Sequence, residues 1–256
     1  MEMFALVEQY HGLRLGADLR AVKPGEVVVV ETPRRLSREP SYGYVRAFWW
    51  LWLEDGRSVA SVPPGTGDRA SDILAAVCSA DAVLDPDRAA RLRELVDQAL
   101  LRAGMAATAR VHADVCFACN AALFRRHSCG TCRRLTDESL APAEGLRLPT
   151  HCFPGGIVYG VVADGRVVSV ACAHRTRVME DLVADIGVET APAYRRRGFA
   201  KTVVSAVVGQ VAHQGGEAYY GCRPDNLGSI ATARSVGFVP YGRSLVFSAP
   251  ATDLGT

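Results

Sequence analysis

Arg195, Arg196 and Arg197 run directly into Gly198, Phe199, Ala200 and Lys201. The stretch from Val188 to Lys201 passes from an apolar strand through a basic, glycine-containing turn into an amphipathic helix, and such a junction can hold a phosphate. Backbone N–H groups at a helix start have no intrahelical partner and sit at the positive end of the dipole. Gly198 lets the backbone take φ > 0 or approach a ligand closely, and small Ala200 keeps that approach open. The arginines add charge that can pair with a diphosphate, bidentately where geometry permits. The loop lacks the Lys-Ser/Thr ending of a P-loop and any dinucleotide-binding glycine pattern. Upstream, Asp185, Gly187 and Glu189 alternate onto one face of the same strand. The two carboxylates can take protons if that face borders a cleft, or are solvated strand acids if it does not.

Cysteine spacing suggests a second chemistry. Cys116-Phe-Ala-Cys119 and Cys129-Gly-Thr-Cys132 are two CxxC pairs, the donor set of a tetrahedral zinc site. The short segment between them leaves buried thiols or a redox dithiol as alternatives. Cys78, Cys152, Cys172 and Cys222 stand alone in the sequence and are expected to be packed. His112, His127, His151 and His174 show no mutual spacing that suggests a metal site or a triad.

The elements that must position these residues are legible. Ile157 to Ala163 and Val167 to Ala173 are apolar runs joined by Asp164-Gly165, a strong hairpin signal because both residues tolerate φ > 0. Leu182 to Thr190 reads as the strand that feeds the basic loop. The helix from Ala200 to about His213 puts Val203, Val204, Val207, Val208 and Val211 on one face, and Gly215-Gly216 ends it. Glu217 to Cys222 reads as a strand, Asn226 and Ser229 open a short helix that stops at Gly237, and the last strands start at Phe238. In the first half, Glu26 to Glu31, Tyr44 to Leu53 and Ser58 to Val62 read as strands, followed by helices at about Asp68 to Cys78 and Asp87 to Ala103. Asp55-Gly56-Arg57 faintly echoes Asp164-Gly165-Arg166, which chance explains better than duplication. Pro63 to Asp68 precedes a helix without clustered cations and reads as a loop with its cap.

Two separated motifs carry a family resemblance. Arg195-x-x-Gly198-x-Ala200, preceded by Ala191-Pro192-Ala193-Tyr194 and followed by an apolar helix, resembles the pyrophosphate loop of the GNAT superfamily of acyl-CoA-dependent N-acyltransferases. Asn226-x-x-Ser229 together with Gly237-Phe238 is similar to its second hallmark, so the resemblance covers roughly residues 133–248. It implies an α+β protein: a GNAT fold over 133–256, with a mixed, mostly antiparallel twisted sheet flanked by helices. A smaller N-terminal α/β domain would occupy 1–132, with the four-thiolate candidate at 116–132.

Acetyl-CoA is the implied cosubstrate. The resemblance assigns the pantetheine and oxyanion contacts to Val188, Glu189 and Thr190, and the diphosphate to Arg195, Arg196, Arg197, Gly198, Phe199, Ala200 and Lys201. Asn226 and Ser229 also fall to the cofactor, and Asp185 or Glu189 to proton removal from an amine acceptor. Two departures stand out. Ala233 occupies the place where many members carry a tyrosine that protonates the thiolate, which leaves Tyr219, Tyr220 or solvent for that task. Only about twenty residues separate Leu135 from Gly155, where members usually place two helices over the acceptor. The N-terminal domain is then expected to supply the acceptor wall, with Tyr44, Phe48, Trp49, Trp50 and Trp52 as candidates there or, as strand aromatics more often are, as core. The expected activity is N-acetyl transfer to the amine of a small molecule. An impaired acyl-CoA-binding sensor and a protein N-acetyltransferase are the alternatives.

Composition agrees with a globular protein. Of 256 residues, 49% are hydrophobic and 22% charged, and the formal net charge of +2 gives no basic bias that would call for nucleic acid. The apolar run Phe48 to Leu53 is far too short to span a bilayer, and the N-terminal segment lacks the pattern of a signal peptide. The expected location is cytoplasmic, with no membrane partner; a homodimer is compatible with the sequence.

Overall fold

The computed structural model describes residues 3–39, 43–75, 85–136, 141–152, 155–174, 178–179 and 181–250. In chain order the elements are α1 (Ala5–Leu15), β1 (Val27–Glu31), β2 (Tyr44–Leu53), β3 (Ser58–Val62), α2 (Gly67–Leu74), α3 (Pro86–Arg102) and β4 (Arg110–Cys119). They continue with β5 (Thr131–Arg134), β6 (Val158–Ala163), β7 (Arg166–His174), β8 (Val183–Thr190), α4 (Phe199–His213), β9 (Glu217–Cys222), α5 (Leu227–Val236) and β10 (Val239–Pro250). Cys78 and the end of the helix expected at 68–78 lie outside the described residues.

The chain forms two compact units, each discontinuous in sequence: Met1–Val7 with Phe117–Val239, and Glu8–Cys116 with Pro240–Thr256. The division expected at residue 132 therefore differs from that of the structure. The reason is β10, which pairs antiparallel with β2 from Gly242↔Leu53 to Pro250↔Tyr44 and so completes the sheet of the N-terminal unit. In that unit the strand order is β1-β3-β2-β10-β4. Its core holds Phe48, Trp50, Trp52, Leu92, Leu95, Val96, Leu100 and Phe247, with the Phe48 and Phe247 rings stacked at 4.7 Å. Of the five aromatics considered for an acceptor wall, Phe48, Trp49, Trp50 and Trp52 are all buried, as the core alternative expects.

In the other unit the order is β9-β8-β7-β6-β5. The β6–β7 hairpin turns at Asp164 (φ 50°) and Gly165 (φ 72°), the two consecutive left-handed residues of a type I′ turn. The earlier hairpin closes differently. There the loop runs from Glu54 to Arg57 with Gly56 at φ 86°, so the likeness to Asp55-Gly56-Arg57 stops at the letters. α4 packs on β6, β7 and β8. Its valines 203, 204, 207, 208 and 211 are all at most 1% exposed. Valine is a poor helix former, and burial of this stripe, worth about 1.5–3 kcal/mol per side chain, outweighs that.

The faces of this sheet are fixed by register. The Tyr159 hydroxyl donates to Gln210 of α4 at 2.9 Å, and Ala171 and Val188 follow Tyr159 across the ladder. Cross-strand partners share a face, so the opposite face carries the pairs Val170↔Glu189, Cys172↔Gly187 and His174↔Asp185. Segment 141–152 is attached to β7 through the Ala143 N–H to Val167 O bond and a 3-10 turn, Thr150–Cys152. Among the described residues no α-helix stands between β5 and β6, as the short spacing there requires.

Candidate active site

β8 and β9 are parallel neighbours for only three pairs, Val183↔Glu217, Ala184↔Ala218 and Asp185↔Tyr219. Both strands continue beyond that point, β8 to Thr190 with its antiparallel pairing to β7 intact. The second edge of β8 from Ile186 onward thus parts from β9 and is free to receive an extended ligand carrying amide groups. The cleft that results has a volume of about 540 Å³. Val188, Glu189, Thr190, Gly198 and Tyr220 lie along its length, with Asn226 and Ser229 on the α5 side.

At one end stands the basic loop. Gly198 caps α4 with φ 81°, and Arg196 is also left-handed at φ 61°. Alternating handedness turns successive N–H groups toward one side, and the unpaired N–H groups of the first helical turn add to them. A Cβ on Gly198 would meet nothing closer than Cys129 at 3.8 Å, so conformation rather than space demands glycine there.

The three arginines divide their tasks. Arg195 lines the cleft and its Nε donates to the Thr190 carbonyl at 3.2 Å, tying the loop to β8. Arg196 and Lys201 also line the cleft. Arg197 does not belong to that lining: its guanidinium lies over the rings of Tyr194 (5.3 Å) and Phe199 (5.0 Å). Every other cofactor residue expected from sequence lines the cleft, and the structure adds Tyr194, Tyr220, Gly228, Ala231 and Thr232.

Glu189 is half-buried in the cleft wall, and the Arg147 N–H points to its Oε2 at 3.4 Å. Asp185 lies on the same face four residues earlier, opposite His174 and outside the cleft lining. Asn226 caps α5 by accepting the Ser229 N–H at 3.1 Å. Ala233 is fully buried, so that helix offers no hydroxyl at the position. Tyr220, on β9, lines the cleft: the residue is 2% exposed, burial pushes its hydroxyl up to about 12, and the Ser229 hydroxyl bonds to it. Tyr219 pairs with Asp185 instead and is absent from the lining.

The CxxC pairs are not gathered into a metal site. Cys116 and Cys119, three residues apart on β4, point to opposite faces, and Cys116 bonds to Ser244. Cys129 is exposed beside the basic loop, bonded to the Arg197 carbonyl at 3.4 Å. Among the described residues, the donors that do converge are Cys152, Cys172 and His174. Sequence spacing had given no hint of it, because the turn at Thr150–Cys152 and strand β7 meet only in the fold.

A second helix start shows what an occupied anion cradle looks like. At α2 the Glu31 carboxylate accepts the N–H groups of Gly65 (3.0 Å) and Gly67 (2.5 Å), which hold it below the usual carboxylate range. The chain fills that site itself, whereas the loop at Gly198 has cations around it.

Residues 130–238 match the model of the acetyltransferase (GNAT) family. This stretch, a little under half of the chain, is a GNAT acetyltransferase domain, the class that uses an acyl-CoA as cosubstrate. Among solved structures the chain is similar to a GNAT acetyltransferase from Novosphingobium aromaticivorans (22% identity over 57% of this chain and 67% of that one, TM-score 0.46). It is also similar to a GCN5-related N-acetyltransferase from Kribbella flavida (16% identity, 99% and 98% covered, TM-score 0.47). For a GNAT acetyltransferase from Colwellia psychrerythraea (16% identity, TM-score 0.41) the match covers 56% of this chain and only 58% of that structure's length. A comparison with curated proteins gives no match. No helix among the described residues is long and apolar enough to cross a membrane.

Proposed function

We propose that the protein transfers an acetyl group from acetyl-CoA to the amine of a small molecule, with Glu189 as the base. The observation that carries this reading is the pairing of a left-handed Gly198 helix start with the parting of β8 from β9. One feature suits a diphosphate, the other an extended pantetheine leading from it. The acyl carbonyl then lies along β8, where backbone N–H groups can stabilise the oxyanion. The amine nitrogen attacks the thioester carbon, its proton passes to Glu189 directly or through water, and the C–S bond breaks as the carbonyl re-forms.

Tyr220 lines the cleft and is the hydroxyl assigned to the sulfur, where it stabilises the leaving thiolate as a hydrogen-bond donor while solvent delivers the proton. Asp185 stands outside the cleft lining and is not assigned a part in the transfer.

Release of coenzyme A from acetyl-CoA in the presence of a panel of small amines tests the reading. Wild-type protein should turn over at least one amine. Glu189→Gln should lower the rate by about 10²-fold at neutral pH, where the amine is mostly protonated, and recover toward high pH. Acetyl-CoA affinity should stay near wild type. Tight acetyl-CoA binding with no turnover of any amine would favour a sensor instead, and full turnover in Glu189→Gln at every pH would leave proton removal to water.

A further inference from the structure

We propose that Cys152, Cys172 and His174 form a zinc-binding site on the sheet face turned away from α4. The two thiol sulfurs and an imidazole nitrogen lie within 4.8 Å of one another. Around tetrahedral zinc, with Zn–S near 2.3 Å and Zn–N near 2.0–2.1 Å, such atoms stand roughly 3.5–3.8 Å apart, so modest side-chain adjustment closes the site. Two thiolates and an imidazole are a soft donor set that favours zinc over magnesium or calcium.

The backbone arrangement explains the convergence. Cys172 and His174, two apart on β7, share a face, and the 3-10 turn Thr150–Cys152 brings the third donor over it. Directly across β8 from Cys172 is Gly187. A Cβ there would lie 2.6 Å from His174 Nε2 and 3.4 Å from Cys172 Sγ, so both donors are directed at the same space and glycine keeps it open. Asp185 stands across from His174 on the same face, outside the group of converging donors. Cys152 and Cys172 are at most 2% exposed, which shields a bound ion from bulk solvent. Filled, the site would fasten the turn at Cys152 to β7, and with it the segment that presents the Arg147 N–H to Glu189. The proposal does not depend on the acyl-transfer reading.

The full chain, reduced and stripped with a chelator, is titrated with Zn²⁺ alone and, separately, with Co²⁺ alone. A single tight equivalent is expected, with thiolate-to-cobalt charge-transfer absorption of the intensity given by two sulfurs. Cys152→Ser, Cys172→Ser and His174→Asn should each abolish stoichiometric binding. A Cys116→Ser/Cys129→Ser double variant should bind as wild type. Should Cys172→Ser fail to fold, the cobalt spectrum of the wild-type chain still decides, since four sulfurs would indicate the CxxC quartet. Absence of zinc binding by the reduced chain, loss of metal only in the CxxC variant, or isolation of a Cys152–Cys172 disulfide that persists under reduction would each overturn the proposal.

Discussion

At the scale of single residues, Gly198 separates two reasons for a glycine. The nearest atom to a Cβ there is 3.8 Å away, so bulk is tolerated, but φ of 81° is a backbone conformation that β-branched residues resist. Gly198→Val should cost about 1–3 kcal/mol of local strain, relieved by letting the helix start shift. Because the diphosphate contacts depend on that start, acetyl-CoA affinity measured by calorimetry should fall about 10–100-fold with little change in melting temperature. Unchanged affinity would remove the loop from the site. Tyr220 gives a second prediction. A hydrogen bond to a charged partner is worth about 1.5–3 kcal/mol, so Tyr220→Phe should lower kcat by roughly ten- to a hundred-fold while the KM for acetyl-CoA moves little. The sequence made the cleft residues readable because backbone chemistry there needs glycine and charge in a fixed order. It could not separate Arg197 from its neighbours, since three identical side chains in a row differ only in what the fold places beside them.

At the scale of elements, what was readable followed from local rules. Asp164-Gly165 closes its hairpin because both residues accept φ > 0, and Gly237 ends α5 at φ 104° for the same reason. The valine stripe of α4 is a helical period that no other element would bury. α1 shows no clear helical period in the sequence because its inward positions mix polarity: Val7, Tyr10, His11 and Leu15 are fully buried, and so nearly are Glu8 and Arg14. A polar residue on a buried face erases the hydrophobic period by which a helix is recognised. Its partners explain the burial, with Glu8 bonded to Arg57 at 2.8 Å and Arg14 to Glu39 at 2.9 Å. The Cys152–Cys172–His174 convergence was hidden for another reason. Donors from a turn and a strand have no characteristic spacing, unlike the CxxC pairs, whose spacing was suggestive and whose side chains part.

At the scale of the molecule, neither compact unit is a continuous stretch of chain. β10 lies between β2 and β4 in the sheet of the N-terminal unit, an interior position rather than an edge. Removing residues 239–250 should therefore damage the unit farthest from them in sequence. The truncated chain is expected to lose the cooperative transition in which the tryptophans at 49, 50 and 52 become exposed, followed by tryptophan fluorescence during denaturation. A native transition in that fragment would show that β2 finds another partner.

The same strand sets a timetable during synthesis on the ribosome. β2 is complete at Leu53, but its neighbour begins only at Val239. At the usual 5–20 residues per second, the nascent chain carries that unpaired, aromatic-rich edge for about 10–40 s before its partner emerges. The first half to be translated is thus the last to finish folding.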